Sequence, residues 1–90
     1  LKRLHIYVSG LVQGVFFRAR TCDQARAQGL SGWVRNMEDG RVEIMAEGDD
    51  ATLARFLTWC HRGPTLARVT AVDVHEEPAT GEFPDFAIRQ

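Results

Sequence analysis

The sequence predicts an α+β fold of the split-βαβ, ferredoxin-like type, in which two helices cover one face of an antiparallel sheet. Hydrophobic spacing switches between a period of two and a helical period in the order β-α-β-β-α-β. A short apolar run near the end adds an extra C-terminal strand. The 90 residues suffice for one domain, 1–90, and show no repeat, low-complexity segment or linker.

Leu4 to Ser9 alternates apolar and more polar residues, so Leu4, Ile6 and Val8 are expected to face the core of a first strand. Gly10 to Gly14 breaks that pattern. A helical period runs from Phe16 to Gln28, with Val15, Ala19 and Cys22 on one face and Ala25 or Arg26 continuing it. Gly29 is its stop. A second strand, Leu30 to Asn36, leads through the turn Met37-Glu38-Asp39-Gly40 into a third, Arg41 to Glu47. There Val42, Ile44 and Ala46 point inward, and Arg41, Glu43, Met45 and Glu47 outward. Gly48-Asp49-Asp50 supplies a helix cap. The helix runs to Arg62 with Leu53, Phe56, Leu57 and Cys60 on one face, and Gly63-Pro64 ends it. Ala67 to Glu76 is a strand whose imperfect alternation suggests a bulge. A loop over Pro78 to Pro84 precedes the last strand, Phe86 to Arg89.

Hydrophobic residues make up 44% of the chain and charged residues 26%, which is globular composition. Eleven basic and twelve acidic residues give a net charge of −1, which disfavours a strongly basic nucleic-acid binder or a polybasic membrane module. No run of about 18 apolar residues offers a transmembrane span, and no leader is visible. The chain begins at Leu1 rather than an initiator methionine, which leaves room for a few residues upstream. Cys22 and Cys60 read as two buried, reduced thiols, which fits a cytoplasmic protein. His5, His61 and His75 are too scattered to form a metal site.

The topology predicts where chemistry is placed. In a split βαβ, the third strand runs antiparallel between the first two. The loop after strand one and the turn after strand two then share one end of the sheet, where the first helix also begins. Gly10–Arg18 and Asn36–Gly40 are therefore expected to converge. The loop Gly10-Leu11-Val12-Gln13-Gly14-Val15-Phe16-Phe17 sits at a helix N-terminus. Its glycines let the backbone curl, and free amides with the positive helix pole attract an anion. Arg18 adds a planar cationic fork suited to phosphate. The bland alternative is a tight connection followed by a surface Arg. The loop lacks the Gly-Lys-Ser/Thr ending of a P-loop. Asn36 reads either as a turn residue or as an amide that positions a water beside the phosphate. Asp39 reads as a turn former, Trp33 and Trp59 as packing residues, and Glu76-Glu77 as a solvated strand end. Of Phe16 and Phe17, one is expected in the core and the other at the site; the sequence does not say which.

Gly10-Leu11-Val12-Gln13-Gly14-Val15-Phe16-Phe17-Arg18 resembles the first signature of the acylphosphatase family, Gly-x-Val-Gln-Gly-Val-x-aromatic-Arg. Gly32-Trp33-Val34-Arg35-Asn36-Met37-Glu38-Asp39-Gly40-Arg41-Val42, with Gly48 beyond it, resembles the second. The two occur in order and at the right spacing, and the resemblance spans essentially the whole chain. The ending Phe86-Ala87-Ile88-Arg89 also looks familial, though the final Gln90 departs from expectation. The resemblance implies hydrolysis of acyl phosphates to a carboxylate and inorganic phosphate, without cofactor, metal or covalent intermediate. It implies that Arg18 and the backbone of Val12, Gln13, Gly14, Val15, Phe16 and Phe17 hold the phosphate, and that Asn36 orients the water. Expected partners are a small acyl phosphate and inorganic phosphate as product and inhibitor, with no nucleic acid or membrane, and the protein is expected to be a monomer.

Rival readings are weaker. RNA-recognition domains share the element order, but Tyr7 alone is a poor stacking platform and Glu43 and Glu47 repel phosphates. A non-catalytic anion-binding or regulatory module of the same fold is the alternative. A carbamoyl-phosphate domain of larger hydrogenase-maturation proteins ranks below it, because the companion domains are missing from this chain.

Overall fold

The computed structural model describes residues 1–90. Its elements are β1 (Lys2–Leu11), α1 (Phe17–Ala27), β2 (Ser31–Asn36), β3 (Val42–Gly48), α2 (Asp50–Arg62), β4 (Arg68–Pro78) and β5 (Phe86–Ile88). They form one five-stranded sheet in the order β4-β1-β3-β2-β5. β3 pairs antiparallel with both β1 and β2, and β4 pairs antiparallel with β1. β5 runs parallel to β2, so the extra strand makes the sheet mixed. No helix is long and apolar enough to cross a membrane.

Alternation along β1 and β3 decides the core. Leu4, Ile6 and Val8 lie under the helices beside Val42, Ile44 and Ala46, all buried. Asp49 caps α2 by accepting from the Thr52 amide at 2.8 Å. Leu53, Phe56 and Cys60 are then buried and Leu57 half-buried, as the helical spacing predicts. Truncating a fully buried ring such as Phe56 to Ala costs about 3–5 kcal/mol. Burial also pushes the Cys60 thiol well above its ordinary value, so Cys60 sits as an inert packing group rather than a nucleophile; Cys22 is likewise free and buried.

Three expectations need correction. Ala19 does not share the buried face of α1; it is exposed, and Phe17, Thr21, Cys22 and Ala25 are buried. The helix begins at Phe17, so Val15 lies before it and does not set its phase; Ala25 rather than Arg26 continues the face. Gly10 does not break β1, which continues to Leu11. The pairing with β4 slips between Ser9 and Gly10, the bulge that the uneven pattern of β4 suggested. Gly10 holds φ 121°, and a Cβ there would stand 2.1 Å from the Arg68 carbonyl oxygen. Gly10 thus serves the sheet, and Gly14 alone curls the loop.

Glu43 and Glu47 do point away from the helices, but they are not solvated. Their side chains are only 8% and 4% exposed. Glu43 accepts from His5 Nε2 at 2.6 Å and from Arg35 Nε. Glu47 accepts from Arg3 Nε at 2.8 Å and from the amides of Thr80 and Gly81, where the loop before β5 folds across the sheet. Trp33 lies on this same face beneath the Arg89 guanidinium, 4.7 Å from its ring centre. Glu76, by contrast, is a solvated strand end paired with Lys2.

Burial pushes both glutamates up, and their hydrogen-bond and cationic partners outweigh it, leaving each below the ordinary 4.5. A carboxyl depressed in the folded state contributes stability above its unfolded value and loses it as pH falls through the folded one. The urea midpoint is therefore expected to drop between about pH 5 and about pH 3. In Glu43→Gln that drop becomes shallower, and an unchanged slope would show that the Glu43 pairs contribute nothing.

Candidate active site

β1 and β2 are parallel to each other across β3, so their C-terminal ends share one edge of the fold. Val12, buried in the core, anchors the loop that leaves β1. Gly14 takes φ 75°, with open space where a side chain would stand. Phe16 takes φ 67° and starts α1 without any side-chain cap and with no acidic residue in the first turn. The first bond of the helix runs from the Arg20 amide to the Phe16 carbonyl at 3.0 Å. The amides of Gly14, Val15 and Phe16, and those of the first helical turn, find no backbone acceptor. The positive pole of α1 is therefore open and uncompensated, an arrangement that favours negative charge beside it.

Arg18 is half-buried beside this loop and makes no ion pair with any carboxylate. Asn36 ends β2, opposite Val42 of β3. Its Oδ1 is buried without a hydrogen-bond partner, so a strong acceptor is held without protein donors. The turn beyond it is closed by Met37 N–H to the Arg41 carbonyl at 2.8 Å. Asp39 accepts from the Arg41 amide at 3.1 Å and its Nε at 2.8 Å, and these bonds hold its carboxyl below the usual range. That is the turn-forming role its position suggests.

Gln13 ties loop and turn together. Its Nε2 donates to the Met37 carbonyl at 2.8 Å and the Arg41 carbonyl at 3.0 Å. The Gln13 side chain is thus directed to the turn, not to the centre of the loop.

The two segments enclose a cleft of about 430 Å³ lined by Val12, Gly14, Phe16, Phe17, Arg18, Ala19, Asn36, Ile88 and Gln90. The structure therefore brings Val12, Gly14, Phe16, Phe17, Arg18 and Asn36 to one place. Gln13 faces the turn and Val15 is buried on the far side of the loop. Phe17 is the core ring, tilted against Trp59 at 5.6 Å between ring centres, and Phe16 is the exposed ring at the site. Ala19, Ile88 and Gln90 were not legible as cleft residues. Ile88 arrives only because β5 lies parallel to β2, opposite Val34. A larger groove of about 790 Å³ lies beyond Phe16, but it contains neither Arg18 nor Asn36. No group of three His, Cys, Asp or Glu side chains is placed to hold a metal ion.

The acylphosphatase family model matches residues 4–88. The chain belongs to the acylphosphatase family. It is 54% identical over 88 residues to an acylphosphatase of Methylococcus capsulatus, covering 98% of this chain and 96% of that one. It is 55% identical over 86 residues to an acylphosphatase of Marinobacter nauticus, covering 96% of this chain and 94% of that one. The crystal structure of acylphosphatase from Bacillus subtilis superposes with a TM-score of 0.96 at 37% identity, covering 100% of both chains. The segment Gly10–Arg18 thus folds as the end of β1, the loop and the first turn of α1, and Gly32–Val42 as β2, the turn and the start of β3.

Gln13→Met keeps the side chain's length and removes both bonds to the turn. Acyl phosphate turnover is expected to fall about tenfold, because a small misplacement of a positioning group carries a penalty of that order. Inhibition by inorganic phosphate is expected to weaken less. Equal loss of both would mean that the Gln13 amide itself serves the anion.

Proposed function

We propose that this chain hydrolyses carboxyl-phosphate anhydrides in the cleft between the β1–α1 loop and the β2–β3 turn. The observation that carries this reading is the pairing of an open helix pole and an unpaired Arg18 with the partnerless Oδ1 of Asn36. The phosphoryl oxygens take the free loop amides and the Arg18 fork. The Asn36 side-chain amide orients a water molecule with its lone pair toward phosphorus. As the new P–O bond forms, the bond from phosphorus to the acyl oxygen breaks and its electron pair leaves with the carboxylate. One water proton stays on the new phosphate oxygen and the other passes to a neighbouring phosphate oxygen. The products are a carboxylate and inorganic phosphate.

This chemistry suits the residues present. A carboxylate leaves without being protonated, so no strong general acid is required. A carboxamide orients water but does not take its proton, which assigns that proton to the substrate itself. Inorganic phosphate, fitting the same cradle, acts as product and competitive inhibitor. The protein works as a cytoplasmic monomer on a small acyl phosphate, with no cofactor, nucleic acid or membrane involved.

Hydrolysis of benzoyl phosphate in EDTA tests the reading. Wild type is expected to turn over under these conditions, and activity restored only by added metal would refute the metal-free route. Arg18→Ala is expected to lose roughly 100-fold or more in kcat/KM and to bind phosphate more weakly. Unimpaired hydrolysis there would remove Arg18 from the cradle. Asn36→Ala is expected to lose roughly 100-fold in kcat while phosphate still inhibits. The opposite pattern, with turnover spared and inhibition lost, would reverse the two roles.

A further inference from the structure

Phe16 is the one non-glycine residue with positive φ, at 67°. Its ring is 68% exposed and takes no part in the ring pairs of the core, where Phe17 and not Phe16 meets Trp59. A glycine would hold this backbone without strain. Neither local conformation nor packing therefore accounts for an aromatic side chain here. What the ring does is line two cavities: the cleft of Arg18 and Asn36, and the larger groove of about 790 Å³ beyond it.

Attack and departure at phosphorus lie roughly in line. Asn36 holds the water on one side, so the acyl group must leave on the side away from Asn36. Asn36 lines the smaller cleft only, and the groove past Phe16 does not contain it. We propose that this groove is the acyl subsite, with the Phe16 ring as its platform, and that it selects acyl groups carrying an apolar body and a distal negative charge. The proposal rests on the smaller cleft being the phosphate site.

The groove has the matching chemistry. Leu66, 62% exposed, faces it as an apolar surface without a partner of its own. Its charged lining is Arg20, Asp23 and Arg62. Asp23 accepts from Arg20 at 3.3 Å, which matches those two charges. Arg62 has no carboxylate partner, so the groove keeps one unmatched cation at the end of α2. A second carboxylate on the substrate, beyond its apolar body, meets that cation. The guanidinium offers it a planar, two-pronged donor.

Three substrates separate the contributions: acetyl phosphate, benzoyl phosphate and 4-carboxybenzoyl phosphate. Comparing ratios of kcat/KM between variants cancels the intrinsic reactivity of each. Phe16→Ala is expected to lower the benzoyl-to-acetyl ratio about tenfold. Arg62→Gln is expected to lower the carboxybenzoyl-to-benzoyl ratio about fivefold, with the difference shrinking at high salt. A benzoyl-to-acetyl ratio unchanged in Phe16→Ala would overturn the subsite. A carboxybenzoyl-to-benzoyl ratio unchanged in Arg62→Gln would overturn its preference for a second charge, and that surface variant reads out even where Phe16→Ala folds poorly. Wild type that hydrolyses none of the three would instead overturn the phosphate site on which the proposal rests.

Discussion

The pairing of β3 with β1 on one side and β2 on the other is the constraint on which the rest depends. It fixes β1 and β2 parallel to each other with their ends at one edge. The loop into α1 and the turn after Asn36 then have no choice but to meet. Every other feature of the site refines that meeting. The bulge at Gly10 sets where β1 releases the chain, and Val12 pins the loop to the core. The two Gln13 bonds hold loop and turn together.

The start of α1 departs from the rules that α2 obeys. α2 has its Asp49 cap, an acid in its first turn and basic residues in its last. α1 begins with a left-handed phenylalanine, no cap and no acid. Asn36 carries a buried acceptor without a donor, in a chain whose buried carboxylates Glu43 and Glu47 each accept several bonds. Thr21 Oγ1 and Gln28 Oε1 are also buried without partners, so it is the open pole of α1, beside Asn36 and an unpaired Arg18, that sets this cleft apart.

The two faces of the sheet show how far alternation can be read. The period-two pattern placed Leu4, Ile6, Val8, Val42, Ile44 and Ala46 on the core face correctly, because an antiparallel strand leaves only two faces to choose from. It also put Glu43 and Glu47 on the other face. Their burial was hidden, because it depends on Arg35 across the hairpin and on Arg3, His5 and the loop near Thr80, which come from segments far away in the chain. Ala19 failed for a different reason. Phe17, Thr21 and Ala25 centre the buried stripe of α1 with Cys22 at its margin, and Ala19 falls about 60° beyond Cys22 at 3.6 residues per turn.

By itself, the sequence determined the element order, the core residues of the strands and α2, and the two signature segments that carry Arg18 and Asn36. Those follow from short-range periodicity and from turn and cap residues, which act within a few positions. Only the tertiary structure decided that Phe16 faces the cleft while Phe17 enters the core, that Gln13 turns toward the β2–β3 turn, and that Gly10 belongs to the sheet. It alone placed Ile88 and Gln90 at the cleft, through the parallel pairing of β5 with β2. Each of these depends on contacts between residues distant along the chain, and local pattern carries no information about which distant partner a side chain or strand edge will meet.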